Sequence, residues 1–359
     1  MTSTLALSRR TLIKVSGIFG LAMPFIGRPA SAQKGGEIIM ANFGGGPAAA
    51  FRESYGLPFQ NETGIKFRVV EVPSTETALI SSASQQQYNS SYHSYAGAMR
   101  LYKMGITEAI AIADYPELAH IPEQFLPRVD DKHLIGLPIH FGFYGMVYNK
   151  KFAAPADLKS WQALVSDKFK QRVSVTRPTF ASLYDVPFYS HMLTGDQKKL
   201  DAGVAQYKKV VENSVTTYTS MAQNNQLLDR GEAVACAYYA STVWTKKREG
   251  GSDVDVLIPE EGALMTPYVL LLPKNCPYPE AARQFLAYAS TAAPAVRAVE
   301  ATGYLPFHAQ AQVDDAMVKK YYNYTLPDLV RQLYSPDWGY VEQTRLELIK
   351  RLEAEVLAP

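Results

Sequence analysis

Arg177 is the charged side chain best placed by the sequence to meet a ligand. It follows the short apolar run Arg172-Val-Ser-Val-Thr176, a predicted buried strand, and in open α/β sheets ligands gather at the carboxyl ends of strands. A guanidinium there offers a planar fork of donors suited to carboxylate, phosphate or phosphonate, and repels a polycation. A second candidate is the glycine cluster Phe43-Gly44-Gly45-Gly46-Pro47, between a predicted strand, Glu37 to Asn42, and a helical stretch, Ala48 to Gln60. Backbone N–H groups approach a ligand closely at such a turn, where the helix dipole favours negative groups. The cluster is neither GxGxxG nor a P-loop, so it does not point to a nucleotide.

Catalytic and metal chemistry find little support. The six histidines are scattered, with no HExxH, no GxSxG and no Cys/His cluster. His93 has no second ligand at metal spacing. Asp185, the first acid after Arg177, is too isolated to pair as a catalytic acid or base. Cys236 and Cys276 fit no zinc motif; they are two small buried or semi-buried thiols, or an oxidised pair in an exporting compartment. No cofactor, no metal and no enzyme activity are expected.

Two stretches must position these groups. Ile135 to Lys150 is apolar but carries Pro138, Gly142 and Gly145, which disfavour a helix and suit extended chain. Thr266 to Pro273 has the same Pro-bounded, β-favouring character. Two such crossings predict two lobes that share the chain, with a cleft able to open and close. A chain of 359 residues also exceeds what one core comfortably holds. With 47% apolar and 19% charged residues it has an ordinary globular composition, and a net charge of +2 gives no footprint for nucleic acid.

Residues 1–32 read as an address. Ser8-Arg9-Arg10-Thr11-Leu12-Ile13-Lys14 precedes a short apolar segment and then Ala30-Ser31-Ala32, a small-x-small cleavage site. The paired arginines resemble a twin-arginine signal. A periplasmic location is expected.

Several segments together resemble one family. They are Gly145-Met-Val-Tyr-Asn149; Phe59-Gln-Asn-Glu-Thr-Gly-Ile-Lys-Phe67; Gln226-Leu-Leu-Asp-Arg-Gly-Glu232; the return from Pro259-Glu-Glu-Gly262 to Leu272-Pro-Lys274; Gly303-Tyr-Leu-Pro306; and Asp337-Trp338. The set is similar to the spermidine/putrescine-type periplasmic solute-binding proteins of ABC importers, and covers Glu37 to Val356. The resemblance implies an α/β, two-lobed periplasmic-binding-protein fold (type II), each lobe a mixed sheet flanked by helices, joined by a two-strand hinge. It places residues 33–141 and 268–312 in lobe 1, and 142–267 and 313–359 in lobe 2. It implies a monomer that takes a small-molecule solute and delivers it to an inner-membrane ABC permease.

For the site, the resemblance implies aromatic walls from Phe43, Tyr95, Tyr144, Tyr238, Tyr239, Tyr268 and Tyr304, with Gly44, Gly45 and Arg177. With 23 tyrosines in the chain, many must instead be core residues with a satisfied hydroxyl. Tyr268 stands where polyamine binders carry an amine-holding aspartate, and the acids they place after the Arg172 to Thr176 strand are missing. An unpaired buried cation is costly, so an anionic or zwitterionic solute is expected. A polyamine, ferric iron held by Tyr238 and Tyr239, and an exported enzyme are the alternatives.

Overall fold

The chain opens with an alternation set by its glycines and caps. In this computed structural model, which describes residues 36–43, 46–178 and 184–357, strand β1 (Glu37–Phe43) leads to helix α1 (Gly46–Phe51). A π-helical turn, Arg52–Gly56, joins α1 to α2 (Leu57–Thr63), so the predicted single helix carries a local widening. Gly64 ends α2 in the left-handed conformation, φ 74°, which glycine adopts without a Cβ penalty. Then follow β2 (Lys66–Val72), α3 (Thr75–Ser81), β3 (Ser90–Ser94), α4 (Tyr95–Lys103) and three two-residue strands, β4 (Thr107–Glu108), β5 (Ile110–Ala111) and β6 (His133–Leu134). Ser74 and Ser94 cap α3 and α4 by accepting from Thr77 N–H and Gly97 N–H.

The first crossing is β7 (Leu137–Asn149), buried along its whole length. Beyond it the predicted helical stretch Phe152 to Phe169 is instead three short 3-10 turns, Pro155–Asp157, Trp161–Val165 and Asp167–Phe169. Pro155 and the serines at 160 and 166 each start a new turn there, which keeps any one helix from propagating. The second half of the sheet is built by β8 (Val173–Thr176), α5 (Asp185–Thr194), α6 (Leu200–Asn213), β9 (Ser214–Tyr218), α7 (Met221–Arg230), β10 (Ala235–Tyr239), α8 (Ala240–Arg248) and β11 (Val254–Leu257). The second crossing is β12 (Ala263–Pro273). The chain closes through α9 (Pro279–Ala289), α10 (Ala292–Thr302), β13 (Leu305–Pro306), α11 (Asp315–Tyr322), α12 (Leu326–Arg331), β14 (Leu333–Tyr334) and α13 (Trp338–Glu355).

One mixed sheet runs in the order β2-β1-β3-β12-β7-β10-β8-β9. Its centre is the antiparallel ribbon of β12 and β7, in which Pro267 faces Phe141 and Tyr268 faces His140. Each ribbon strand serves different neighbours at its two ends. The C-terminal part of β12 pairs with β3 and β4, whereas the C-terminal part of β7 pairs with β10 and β11. Among the described residues no helix is long and apolar enough to cross a membrane. Both cysteines are free, Cys236 buried and Cys276 half-buried, so no oxidised pair forms. The leader and Gly44-Gly45 lie outside the described residues.

Candidate functional site

The register shows where ligand-accessible strand ends meet. β1, β2 and β3 are mutually parallel, and β3 is antiparallel to β12, which is antiparallel to β7. β10 is antiparallel to β7 and parallel to β8, itself parallel to β9. The two outer groups therefore run in opposite directions. At the end of β3, Ser94 faces Tyr268, which faces His140 of β7; at the end of β10, Tyr239 faces Tyr144 of β7. His140 and Tyr144 are four positions apart, roughly 13 Å of strand. Both sets of carboxyl ends converge over this piece of ribbon.

Aromatic rings fill the convergence. Tyr92 and Tyr268 stack at 4.9 Å, Tyr268 and Tyr304 lie 5.1 Å apart, and His140 stacks on Tyr304 at 4.8 Å. The Tyr92 hydroxyl lies 2.9 Å from His140 Nε2 and the Tyr55 hydroxyl 3.3 Å from Nδ1. Burial pulls the His140 pKa down to about 3, so the imidazole is neutral, with one ring nitrogen donating to a phenol and the other accepting. On the other side Tyr144 meets Tyr239 edge-on at 5.1 Å. Tyr184, at the start of α5, has the Ser94 hydroxyl beside its phenol and so bridges the two groups of strands. Tyr184, Tyr239, Tyr268 and Tyr304 are half-buried, leaving part of each ring to contact a ligand.

A cavity of about 350 Å³ opens beside this cluster, lined by Ala49 and Ala50 of α1, Ser241 of α8, Thr302 of α10 and Tyr304. A second, of about 420 Å³, lies between α4 and α13 and is lined by Tyr95, Met265, Pro267 and Trp338. The first is the better candidate because it includes Tyr304 of the aromatic cluster and carries the hydroxyls of Ser241, Thr245 and Thr302, which could orient a solute. Among the described residues no group of three or more His, Cys, Asp or Glu could hold a metal ion.

The expected site residues separate into groups. Tyr268 and Tyr304 come together, Tyr144 packs on Tyr239, and Phe43, the last residue of β1, is 43% exposed. Tyr238 is committed to α7, where its hydroxyl is 3.3 Å from Met221 O and Asn225 Oδ1. The adjacent Tyr238 and Tyr239 rings meet edge-on at 5.9 Å, but the Tyr238 hydroxyl is already taken up by α7. Tyr95 donates to Phe125 O at 2.5 Å and packs on Phe307, beside the second cavity. Arg177 is held by Glu353 of α13 through two bonds, Nε to Oε1 at 3.1 Å and Nη2 to Oε2 at 2.6 Å. Its side chain is 42% exposed and its fork is already occupied by an acid. The sequence did not single out Tyr55, Tyr92, His140 or Tyr184; the one available signal was His140, a polar residue inside an otherwise apolar crossing.

Residues 55–325 match the family model for bacterial extracellular solute-binding proteins. The chain belongs to that family. The binding protein resembles solved structures at low identity. An ABC transporter substrate-binding protein from Bradyrhizobium japonicum superposes with a TM-score of 0.76 at 18% identity, covering 90% of this chain and 99% of that one. The periplasmic binding protein AfuA from Actinobacillus pleuropneumoniae, with fructose-6-phosphate bound, gives 0.70 at 16%, covering 90% and 99%. The spermidine/putrescine substrate-binding protein PotD from Streptococcus pneumoniae gives 0.67 at 16%, covering 88% and 98%. At these identities the likeness establishes the periplasmic-binding-protein fold. Comparison with curated protein sequences gives no match.

Proposed function

We propose that the binding protein is the exported receptor of an ABC-type importer, closing two lobes over a small organic solute and handing it to an inner-membrane permease. The observation that carries this is the convergence of oppositely directed strand ends at His140 and Tyr144, with half-buried tyrosines around it. Phenols supply flat apolar contact and hydroxyls that fix orientation, which suits recognition of a neutral or zwitterionic organic body. A bare anion fits less well than the sequence led us to expect, because the Arg177 guanidinium is paired with Glu353. Ferric iron lacks its phenolate pair, since Tyr238 turns toward α7.

A thermal-shift screen across amino acids, organic acids, phosphonates, amines and ferric ion tests the proposal. At a hundredfold excess over Kd a specific solute stabilises by about 2.7 kcal/mol. The expected result is a raised Tm with one class of organic solute and none with ferric ion, without turnover of that solute. Tyr268→Ala should weaken its binding by about tenfold or more, because a ring stacked in the cluster is lost. Uniform silence across the panel would count against a receptor.

A further inference from the structure

The cavity of about 420 Å³ between α4 and α13 lies behind the ribbon, on the face turned away from the aromatic cluster. Successive side chains of a strand point to opposite faces. A Cβ on Gly142 would meet both Thr266 Oγ1 and the Tyr304 ring, so Thr266 of β12 points toward the cluster. Its neighbours Met265 and Pro267 point the other way and line the cavity. Phe141, which faces Pro267, is on that same side and stacks on Phe125 of the cavity wall, with ring centres 6.5 Å apart.

The lining suits an uncharged molecule. Met265, Tyr95 and Trp338 are buried, whereas Met99, Phe125 and Leu333 are half-buried and Gln124 is exposed. A buried base under a half-open rim admits a small molecule without unfolding of the walls. No Asp, Glu, Lys, Arg or His is among the lining residues. Arg100, which follows Met99 in α4, is already paired with Glu76 and Glu342, so a charged group entering here would lose its hydration without a counter-charge. Three aromatic rings and two thioethers make flat and adaptable walls. The Trp338 indole N–H donates to Ser335 Oγ at 3.2 Å, which leaves the Ser335 hydroxyl proton for another acceptor. An apolar cavity of about 150 Å³ holds one benzene ring, and this one has room for a second.

We propose that this cavity is a second small-molecule site, for a neutral molecule of two fused rings carrying a single hydroxyl or N–H. The rings lie over Met265 beside Tyr95 and Trp338, and the polar group meets Ser335 or Gln124 at the rim. The site is additional to the solute cleft and stands whether or not the receptor reading holds.

The test is calorimetric titration of the full chain at pH 7 with 2-naphthol and indole, against naphthalene-2-carboxylate and 2-naphthylmethylammonium, which keep the two rings and add a charge. The indole N–H signals of the three tryptophans are followed in parallel by magnetic resonance, with that of Trp338 identified by its loss in Trp338→Phe. The expected result is one molecule of 2-naphthol bound per chain, a shift confined to the Trp338 signal, and binding of the charged compounds weaker by roughly tenfold or more. Leu333→Trp and Met99→Trp each put a ring into the cavity from its half-buried rim, and each should weaken 2-naphthol by roughly tenfold or more without lowering the Tm. Ser241→Trp, in the cavity beside Tyr304, should leave 2-naphthol binding unchanged. Affinity indifferent to charge, or surviving both rim substitutions, overturns the site. Loss in Ser241→Trp alone places the molecule in the other cavity and overturns it too. A dimer in sedimentation that Leu333→Trp dissolves gives the cavity to a second copy of the chain, and no binding by either neutral probe overturns the proposal outright. None of these outcomes bears on the receptor reading, which the solute screen tests separately.

Discussion

His93 and His140 are buried polar rings whose pKa values are both lowered to about 3, from 6.5, chiefly by desolvation. Below pH 6.5 the unfolded chain binds protons at these positions that the folded chain refuses, so stability drops as pH falls. Asp185 acts in the opposite sense. Its carboxyl rises from 3.8 to about 8 on folding, so across that window the folded state holds a proton that the unfolded state lacks, and stability drops as pH rises. Each group contributes a slope of at most about 1.4 kcal/mol per pH unit. Two histidines outweigh one aspartate below pH 6.5, and the aspartate acts alone above it. Urea unfolding at pH 5, 6.5 and 8 should therefore find a maximum near 6.5, with the alkaline decline absent in Asp185→Asn. The pair Tyr268 and Tyr304 was legible in the sequence because each sits in a motif with a fixed local turn or strand. Asp185 was not, because its surroundings come from four other elements spread between Tyr144 and Cys236, and no local pattern announces them.

The ribbon of β7 and β12 was the most legible element, because proline and glycine inside long apolar runs leave extended chain as the fitting conformation. Its internal geometry was not. A register shift between Tyr268 and Val269 leaves Ile139 without a facing residue, a bulge that the alternation of side chains does not encode. Gly142 matters here through space rather than backbone angle: a Cβ would come within 3.0 Å of the Tyr304 ring and 3.1 Å of Thr266 Oγ1. Gly142→Ala should push Tyr304 from its stack on His140, costing about 1–3 kcal/mol of stability and weakening solute binding while leaving the sheet intact. Circular dichroism and the thermal-shift response, measured on one preparation, check both parts. The stretch from Phe152 to Phe169 misleads at this scale because apolar spacing cannot distinguish one helix from several capped turns.

On the scale of the molecule, the ends of the sheet are tied by more than the ribbon. Arg100 of α4 binds Glu76 of α3 at 2.7 Å and Glu342 of α13 at 2.9 Å, a partly buried triad joining the N-terminal group of elements to the last helix. If closure of two lobes accompanies binding, small-angle scattering should record a smaller radius of gyration with solute than without. Glu342→Gln should shrink that difference and lower stability by about 1–3 kcal/mol, the usual loss for a charge-assisted bond. The two crossings were legible from their prolines and glycines; the triad was not, since its members are separated by most of the chain. The two free cysteines carry a practical corollary. Desolvation raises their pKa values to about 12 for Cys236 and about 11 for Cys276, so almost no thiolate exists at neutral pH and neither reacts readily with maleimides or oxidants. Folding needs no oxidase, and a dye attached through a cysteine newly introduced near Phe43 would label one place without first deleting the native pair.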